Sequence, residues 1–154
     1  MIRKFNELFD SEELKSNFEI PYLSDKEGFT KSFNKSMLDP TMAYVNAVLA
    51  EYPILESSFN IGAFDTEYGK AVFIFSESKK PVDGRNFYVQ LSLQSFDKND
   101  YIGGFLVIDK SNPESQEDRF YEFDSFKESL KVVKLFLGVC EQLNVIENKP
   151  SVLN

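Results

Sequence analysis

Apolar and polar positions along this chain change their period twice, and the changes divide it into elements. Ile2, Phe5, Leu8 and Phe9 recur at three- and four-residue steps with Arg3, Lys4, Glu7 and Asp10 between them, the spacing of an amphipathic helix over the first ten or so residues. A second short turn is expected over residues 11–18, ending before Pro21, because the residue preceding a proline is pushed out of the helical region. Periodicity then fails. Residues 21–37 are largely polar, contain Gly28 and several Ser and Lys, and read as a long connection. Asp39-Pro40 restores order: an aspartate at the N-cap accepts from the free amides of a first turn, and proline at the first helical position gives up no intrahelical bond. Met42, Val45, Leu49 and Tyr52 form one stripe of the helix that follows, with Ala43, Ala47 and Ala50 adding propensity, and Pro53 ends it.

From there the period shortens to two. Residues 58–64 and 70–76 are rich in Phe, Ile, Val and Ala and are separated by Asp65-Thr66-Glu67-Tyr68-Gly69, a loop of hairpin composition, so they are expected to pair antiparallel. In Val72-Phe73-Ile74-Phe75 both faces are apolar, which predicts an inner strand covered on both sides. Phe87, Val89, Leu91 and Leu93 alternate with Tyr88, Gln90, Ser92 and Gln94, the pattern of a strand with one dry and one wet face. Asp97-Lys98-Asn99-Asp100 turns the chain into a fourth strand over residues 101–109, in which Gly103-Gly104 marks a bulge or a close backbone approach. Residues 110–118 hold no aliphatic or aromatic side chain and form an exposed loop, and a short edge strand over residues 119–123 follows. Ser125-Phe126-Lys127-Glu128 fits a capping box, and Phe126, Leu130, Val133, Leu137 and Cys140 then make a wide apolar stripe, extended by Phe136 and Leu143.

The order predicts an α+β fold: an antiparallel β-meander of four to five strands packed with an N-terminal helical region and a long C-terminal helix lying across the sheet. Residues 1–18 form the amphipathic helical segment, 19–37 the polar connection, 38–147 a single α+β domain and 148–154 a frayed tail. At 154 residues the chain buries roughly two thirds of its unfolded surface and needs neither disulfide nor metal to hold a core.

Charge narrows the choice of partners. The net charge is −8, and every third of the sequence is acidic, so a phosphate-binding surface would have to gather scattered lysines against the overall field, and nucleic acid is disfavoured. The longest mostly apolar stretch, residues 132–140, is interrupted by Lys134 and falls far short of the roughly 20 residues that span a bilayer, so no membrane is expected. Acids at Glu7 and Asp10 precede any signal-like apolar run, and the single Cys140 sits in an apolar stripe; a cytoplasmic location, or one within a virion, is expected, and not secretion. Sixteen Phe and no Trp or His, beside abundant Lys, Asn and Ile, are the composition of AT-rich coding, as in a low-GC bacterium or its phages.

Without a histidine, the Ser-His-Asp and Cys-His arrangements and most catalytic zinc sites cannot be built, and no phosphate-cradling Gly-rich loop occurs. Asp97, Asn99 and Asp100 depart from calcium-loop spacing after Asn99 and read as a hairpin loop; Glu114, Glu117 and Asp118 read as solvated surface. Residues 28–36, Gly-Phe-Thr-Lys-Ser-Phe-Asn-Lys-Ser, interleave aromatics with lysines as single-strand binders do, but two lysines supply little charge. No cofactor, metal or catalytic residue is expected.

These exclusions favour a non-enzymatic protein-binding accessory module, chaperone-like or associated with virion assembly, whose partner is another protein or a second copy. Ile2, Phe5, Leu8 and Phe9 are its candidate partner-binding residues, because their apolar face must bury against either another protein or the free face of the sheet. A single-stranded nucleic-acid binder presenting Tyr88 and Tyr101 on a sheet face is the alternative, and a histidine-free enzyme using carboxylates the remote one.

Overall fold

The structure, a computed structural model, describes residues 3–4, 39–66, 69–97 and 100–147. Helix α1, Pro40–Glu51, begins as its sequence predicts: Asp39 is extended, and its Oδ1 accepts from the Thr41 amide at 2.7 Å. Pro53 ends α1 but opens a single further turn, α2 (Ile54–Ser57), so strand β2 starts at Asn60 rather than at residue 58. The chain then runs as a meander through β2 (Asn60–Thr66), β3 (Gly69–Glu77), β4 (Phe87–Asp97), β5 (Asp100–Asp109) and β6 (Glu117–Phe123). A 3-10 turn at Pro113–Ser115 interrupts the loop before β6. Helix α3, Phe126–Gln142, closes the order, with Ser125 Oγ accepting from the Glu128 amide at 3.1 Å. Only half of the capping box forms, because the Glu128 carboxylate takes the Lys131 ammonium at 2.9 Å.

Every neighbouring pair of strands is antiparallel, and the spatial order is β1-β6-β5-β4-β3-β2. The outermost piece, β1, is Arg3–Lys4, with Arg3 opposite Glu122 and Lys4 opposite Tyr121. This corrects the helix expected to run through the first ten residues at these two positions. An edge strand leaves a row of unpaired amides and carbonyls, and backbone pairing there overrides a local helical period. The candidate residues Ile2, Phe5, Leu8 and Phe9, the connection over residues 19–37 and the Phe-Lys stretch over 28–36 lie outside the described residues. The helical region ahead of the sheet, where described, is α1 with α2.

Both α1 and α3 pack on one face of the sheet. Met42, Val45 and Val48 from α1 and Val132, Val133, Phe136 and Cys140 from α3 join Ile74, Val89, Leu91, Leu93, Phe105 and Phe123 in one core. The start of α1 is pinned to the end of β4 by a buried reciprocal pair, Thr41 Oγ1 donating to the Ser95 carbonyl at 3.0 Å and accepting from its amide at 2.9 Å. Just beyond, the register slips by a bulge between Ser95 and Asp97, and Ser95 Oγ reaches across the turn to the Asp100 carbonyl at 2.8 Å.

On β4, Val89, Leu91 and Leu93 are dry as expected, while Phe87 is half-buried with the Arg85 guanidinium 5.6 Å above its ring. The row expected to be wet is not. Tyr88, Gln90, Ser92 and Gln94 are each exposed by 5 % or less. Two features make this burial possible. The row bonds along its own strand, Tyr88 Oη donating to Gln90 Oε1 at 2.9 Å and Gln90 Nε2 to Ser92 Oγ at 3.4 Å. It also lies between apolar rows, Phe73 and Phe75 on β3 and Ile102, Leu106 and Ile108 on β5, which form a second core. Within that core Phe75 and Tyr88 stack with their centroids 6.1 Å apart.

The paired glycines of β5 divide between the two faces, and no bulge separates them. A Cβ on Gly104 would collide with the Phe120 ring and the Arg119 carbonyl, so the cross-strand phenylalanine occupies the space a side chain would take. On the other face a Cβ on Gly103 would meet Tyr44 Oη, Val132 and Leu93 only at ordinary contact distances of 3.6–3.7 Å.

Candidate interaction surface

Three groups among the described residues have clearly shifted protonation: Tyr44, Asp109 and Cys140. No three His, Cys, Asp or Glu side chains among the described residues converge on a metal-sized point. Burial pushes the Tyr44 phenol far above its ordinary value. Ser129 beside it pulls weakly the other way, but the Ser129 hydroxyl donates to the Phe126 carbonyl at 2.6 Å, and Tyr44 Oη is left without a sound hydrogen bond. The Cys140 thiol is likewise raised, mainly by burial and secondarily by Glu141, which makes it an unreactive core residue. Asp109 alone is shifted down: bonds from the Ser111 hydroxyl and amide at 2.7 and 3.0 Å hold its carboxylate ionised, with Arg85 adding a smaller attraction.

The carboxylate groups singled out in the sequence do not converge on one point among the described residues. Asp97 and Asp100 face each other across the β4–β5 turn, and Asn99 is outside the described residues. Glu114 belongs to the 3-10 turn, and Glu117 and Asp118 are exposed at the start of β6. The two tyrosines considered as a stacking platform do not share a face. Tyr88 is buried in the second core, whereas Tyr101 points under the helices, 4.8 Å from the Tyr44 ring and 6.2 Å from that of Phe126.

The surface that stands out is the outer side of α3. Its inner side explains the sequence stripe, since Val132, Val133, Phe136 and Cys140 are buried. Leu135 points the other way and is 51 % exposed, the more open of two large apolar side chains so placed among the described residues. One turn on stands Gly138, where a Cβ would find nothing within 4 Å. A glycine in mid-helix costs roughly 1 kcal/mol against alanine, and here neither a close neighbour nor a positive φ calls for it. Leu135, Gly138 and Val139 line an open hollow of about 520 Å³ with Lys131, Lys134 and Gln142 at its border.

Charge reinforces the contrast. In a chain of net charge −8, Lys127, Lys131 and Lys134 follow one another at helical steps along this outer side, and all three are exposed. Sequence reasoning missed the surface because it followed the apolar stripe of α3 inward. Leu135 breaks that stripe, and the signals that could have found it were its place between Lys134 and Phe136 and a helix-interior glycine three residues later.

No helix among the described residues is long and apolar enough to cross a membrane. Compared with known proteins, the chain matches no family model, no curated protein and no solved structure.

Proposed function

We propose that this protein is a non-enzymatic, protein-binding accessory module, of the chaperone-like or assembly-associated kind, and that it engages its partner through the outer side of α3. The observation that carries the reading is the exposed Leu135 beside Gly138, a glycine the fold does not require, in a hollow open enough to accept a side chain. Burying the exposed half of a leucine supplies about 1 kcal/mol, half of the usual 1.5–3 kcal/mol, so apolar contact alone makes a weak site. The lysine row supplies the rest by complementarity: the partner is an acidic protein segment presenting an apolar side chain, steered by Lys127 and Lys134 and by Lys131, which Glu128 partly neutralises. The groups with perturbed protonation are buried in the core or tied into a turn, so this reading asks for no reacting side chain.

Gly138→Ala separates fold from function. It puts a methyl group on the floor of the hollow and should raise stability by roughly 0.5–1 kcal/mol through helix propensity, while lowering partner recovery. Leu135→Asp should abolish recovery with an unchanged melting temperature. The measurement is quantitative capture from nuclease-treated lysate of the source, comparing wild type with the two variants and a Lys131→Glu/Lys134→Glu double variant. A protein retained by wild type, lost with Leu135→Asp and weakened by charge reversal supports the reading. Identical recovery by all four, or sub-micromolar affinity for single-stranded DNA in a fluorescence titration, overturns it.

A further inference from the structure

Helix α3 divides by charge at its middle. Residues 126–134 carry Lys127, Lys131 and Lys134 against Glu128, whereas residues 135–147 carry Glu141 and Glu147 and no base. This polarity opposes the helix macrodipole, which favours acids in the first turn and bases in the last. Glu128 is the one acid of the first turn, and the last turn holds no base. A helix lying antiparallel beside α3 reverses the relation, because it brings a dipole-negative end to the lysines and a dipole-positive end to Glu141. The divide falls at Leu135 and Gly138, the exposed leucine and the open glycine of the hollow.

We propose that the hollow on α3 takes the same helix of a second copy of this chain, antiparallel about a two-fold axis, so that Leu135 of each copy sits over Gly138 of the other. The assignment rests on the reading of this side of α3 as an interaction surface. A two-fold interface is self-complementary, since any residue that meets another is met by it in return across the axis. Leu135 opposite Gly138 therefore uses the apolar knob and its hollow twice. The same register sets Lys131 opposite Gln142, both at the border of the hollow, and next to Glu141. Lys131 already holds Glu128 at 2.9 Å, but that pair is largely exposed and weakly held, so the ammonium can turn to Glu141 of the second copy. Glycine at the crossing lets the axes approach to the short end of the usual 8–10 Å or so, which accounts for a residue the isolated fold does not require. The paired stretch, residues 131–142 in each copy, is roughly 18 Å long at about 1.5 Å per residue. Contact along it alone falls short of the roughly 1,200–2,000 Å² of a stable interface, so the pair is weak and forms with rising concentration. An acidic segment of another protein would enter the same hollow, and the two occupants exclude each other.

The test is sedimentation equilibrium of the full chain between about 10 µM and about 1 mM, the range of a weak pair. The average mass of wild type should climb from that of one chain toward that of two, and Leu135→Asp should hold it at one chain throughout with an unchanged melting temperature. Lys131→Glu and Glu141→Lys should each weaken association by about tenfold, because each reversal turns two attractions into repulsions. An equal mixture of those two variants should regain the wild-type association, since both pairs are then again opposite in sign. Wild type that stays at the mass of one chain, association unmoved by Leu135→Asp, or a mixture no tighter than its components would overturn the proposal. A monomeric wild type that still captures a lysate protein through Leu135 would overturn this pairing and leave the α3 surface reading intact. Self-association through Leu135, regained by the mixture, with identical lysate recovery by all variants would sustain the pairing and remove the external partner.

Discussion

Strand β4 presents Val89, Leu91 and Leu93 to the helices and, one residue along at each step, Tyr88, Gln90, Ser92 and Gln94 to the opposite side, and both rows are buried. The first row is dry because aliphatic side chains have nothing to lose by leaving water. The second is dry although it is polar, because Tyr88, Gln90 and Ser92 bond to one another along the strand and the row is flanked by Phe73 and Phe75 on one side and Ile102, Leu106 and Ile108 on the other. Alternation of polarity along a strand therefore reports side-chain chemistry, and solvent only by inference. A polar row in mid-sheet can be interior when its neighbours are apolar and its hydrogen bonds are made.

The largest expected effect lies on the helix face. Leu91→Ala should cost roughly 2–5 kcal/mol in urea denaturation, because it opens a cavity where α1 meets the sheet. A change below about 0.5 kcal/mol, the surface range, would mean that this face is not the principal core.

Next come the two glycines of β5, which compare the faces at a separation of one residue. Gly104→Ala should cost roughly 1–3 kcal/mol by forcing Phe120 off its seat. Gly103→Ala should be neutral or gain up to about 1 kcal/mol, since the space is there and glycine is a poor strand residue. Equal effects at the two positions would remove the distinction between the faces drawn here.

A smaller effect tests the interior of the helix face through pH. Tyr44 stays neutral in the fold above the pH at which an unfolded tyrosine ionises, near 10. Below that pH both states hold the proton and the group contributes no pH dependence. Above it the unfolded chain binds fewer protons than the fold, so stability falls by about 1.4 kcal/mol per pH unit from this group, with Cys140 acting in the same direction from a lower starting pH. Tyr44→Phe should flatten the fall between pH 10 and 12, and it should leave stability at pH 7 unchanged or higher because it removes an unpartnered hydroxyl. Parallel profiles for the two proteins would place Tyr44 in water.

Much of this architecture was legible in the residues. The Asp39-Pro40 start, the Pro53 stop, the meander, the Ser125 cap and the inward stripe of α3 follow from local rules whose partners are within a few positions in sequence. What was not legible depends on contacts distant in sequence. Arg3–Lys4 pairs with β6 more than a hundred residues away, and no local pattern announces it. The second face was half legible. Val72-Phe73-Ile74-Phe75 predicted cover on both sides of β3, but Gln90 and Gln94 were read as a wet row because the bonds that satisfy Gln90 and the apolar rows on either side cannot be seen in a single strand. The α3 surface was the least legible, since an exposed leucine in a helix is ordinary until the space beside it is known.

Burial of the polar row on β4 is the centre of this account, and the reactivity of one thiol tests it most directly. Ser92→Cys changes one atom at the middle of the second face, where the native residue is 2 % exposed, and the natural Cys140 is itself buried and adds little background. Under native conditions the introduced thiol should react with Ellman's reagent orders of magnitude more slowly than a cysteine placed at the exposed Lys80, and at the same rate once the protein is unfolded in guanidinium. Native reaction as fast as that of the Lys80→Cys control, in a protein that keeps its melting temperature, would show that the second face is open to water.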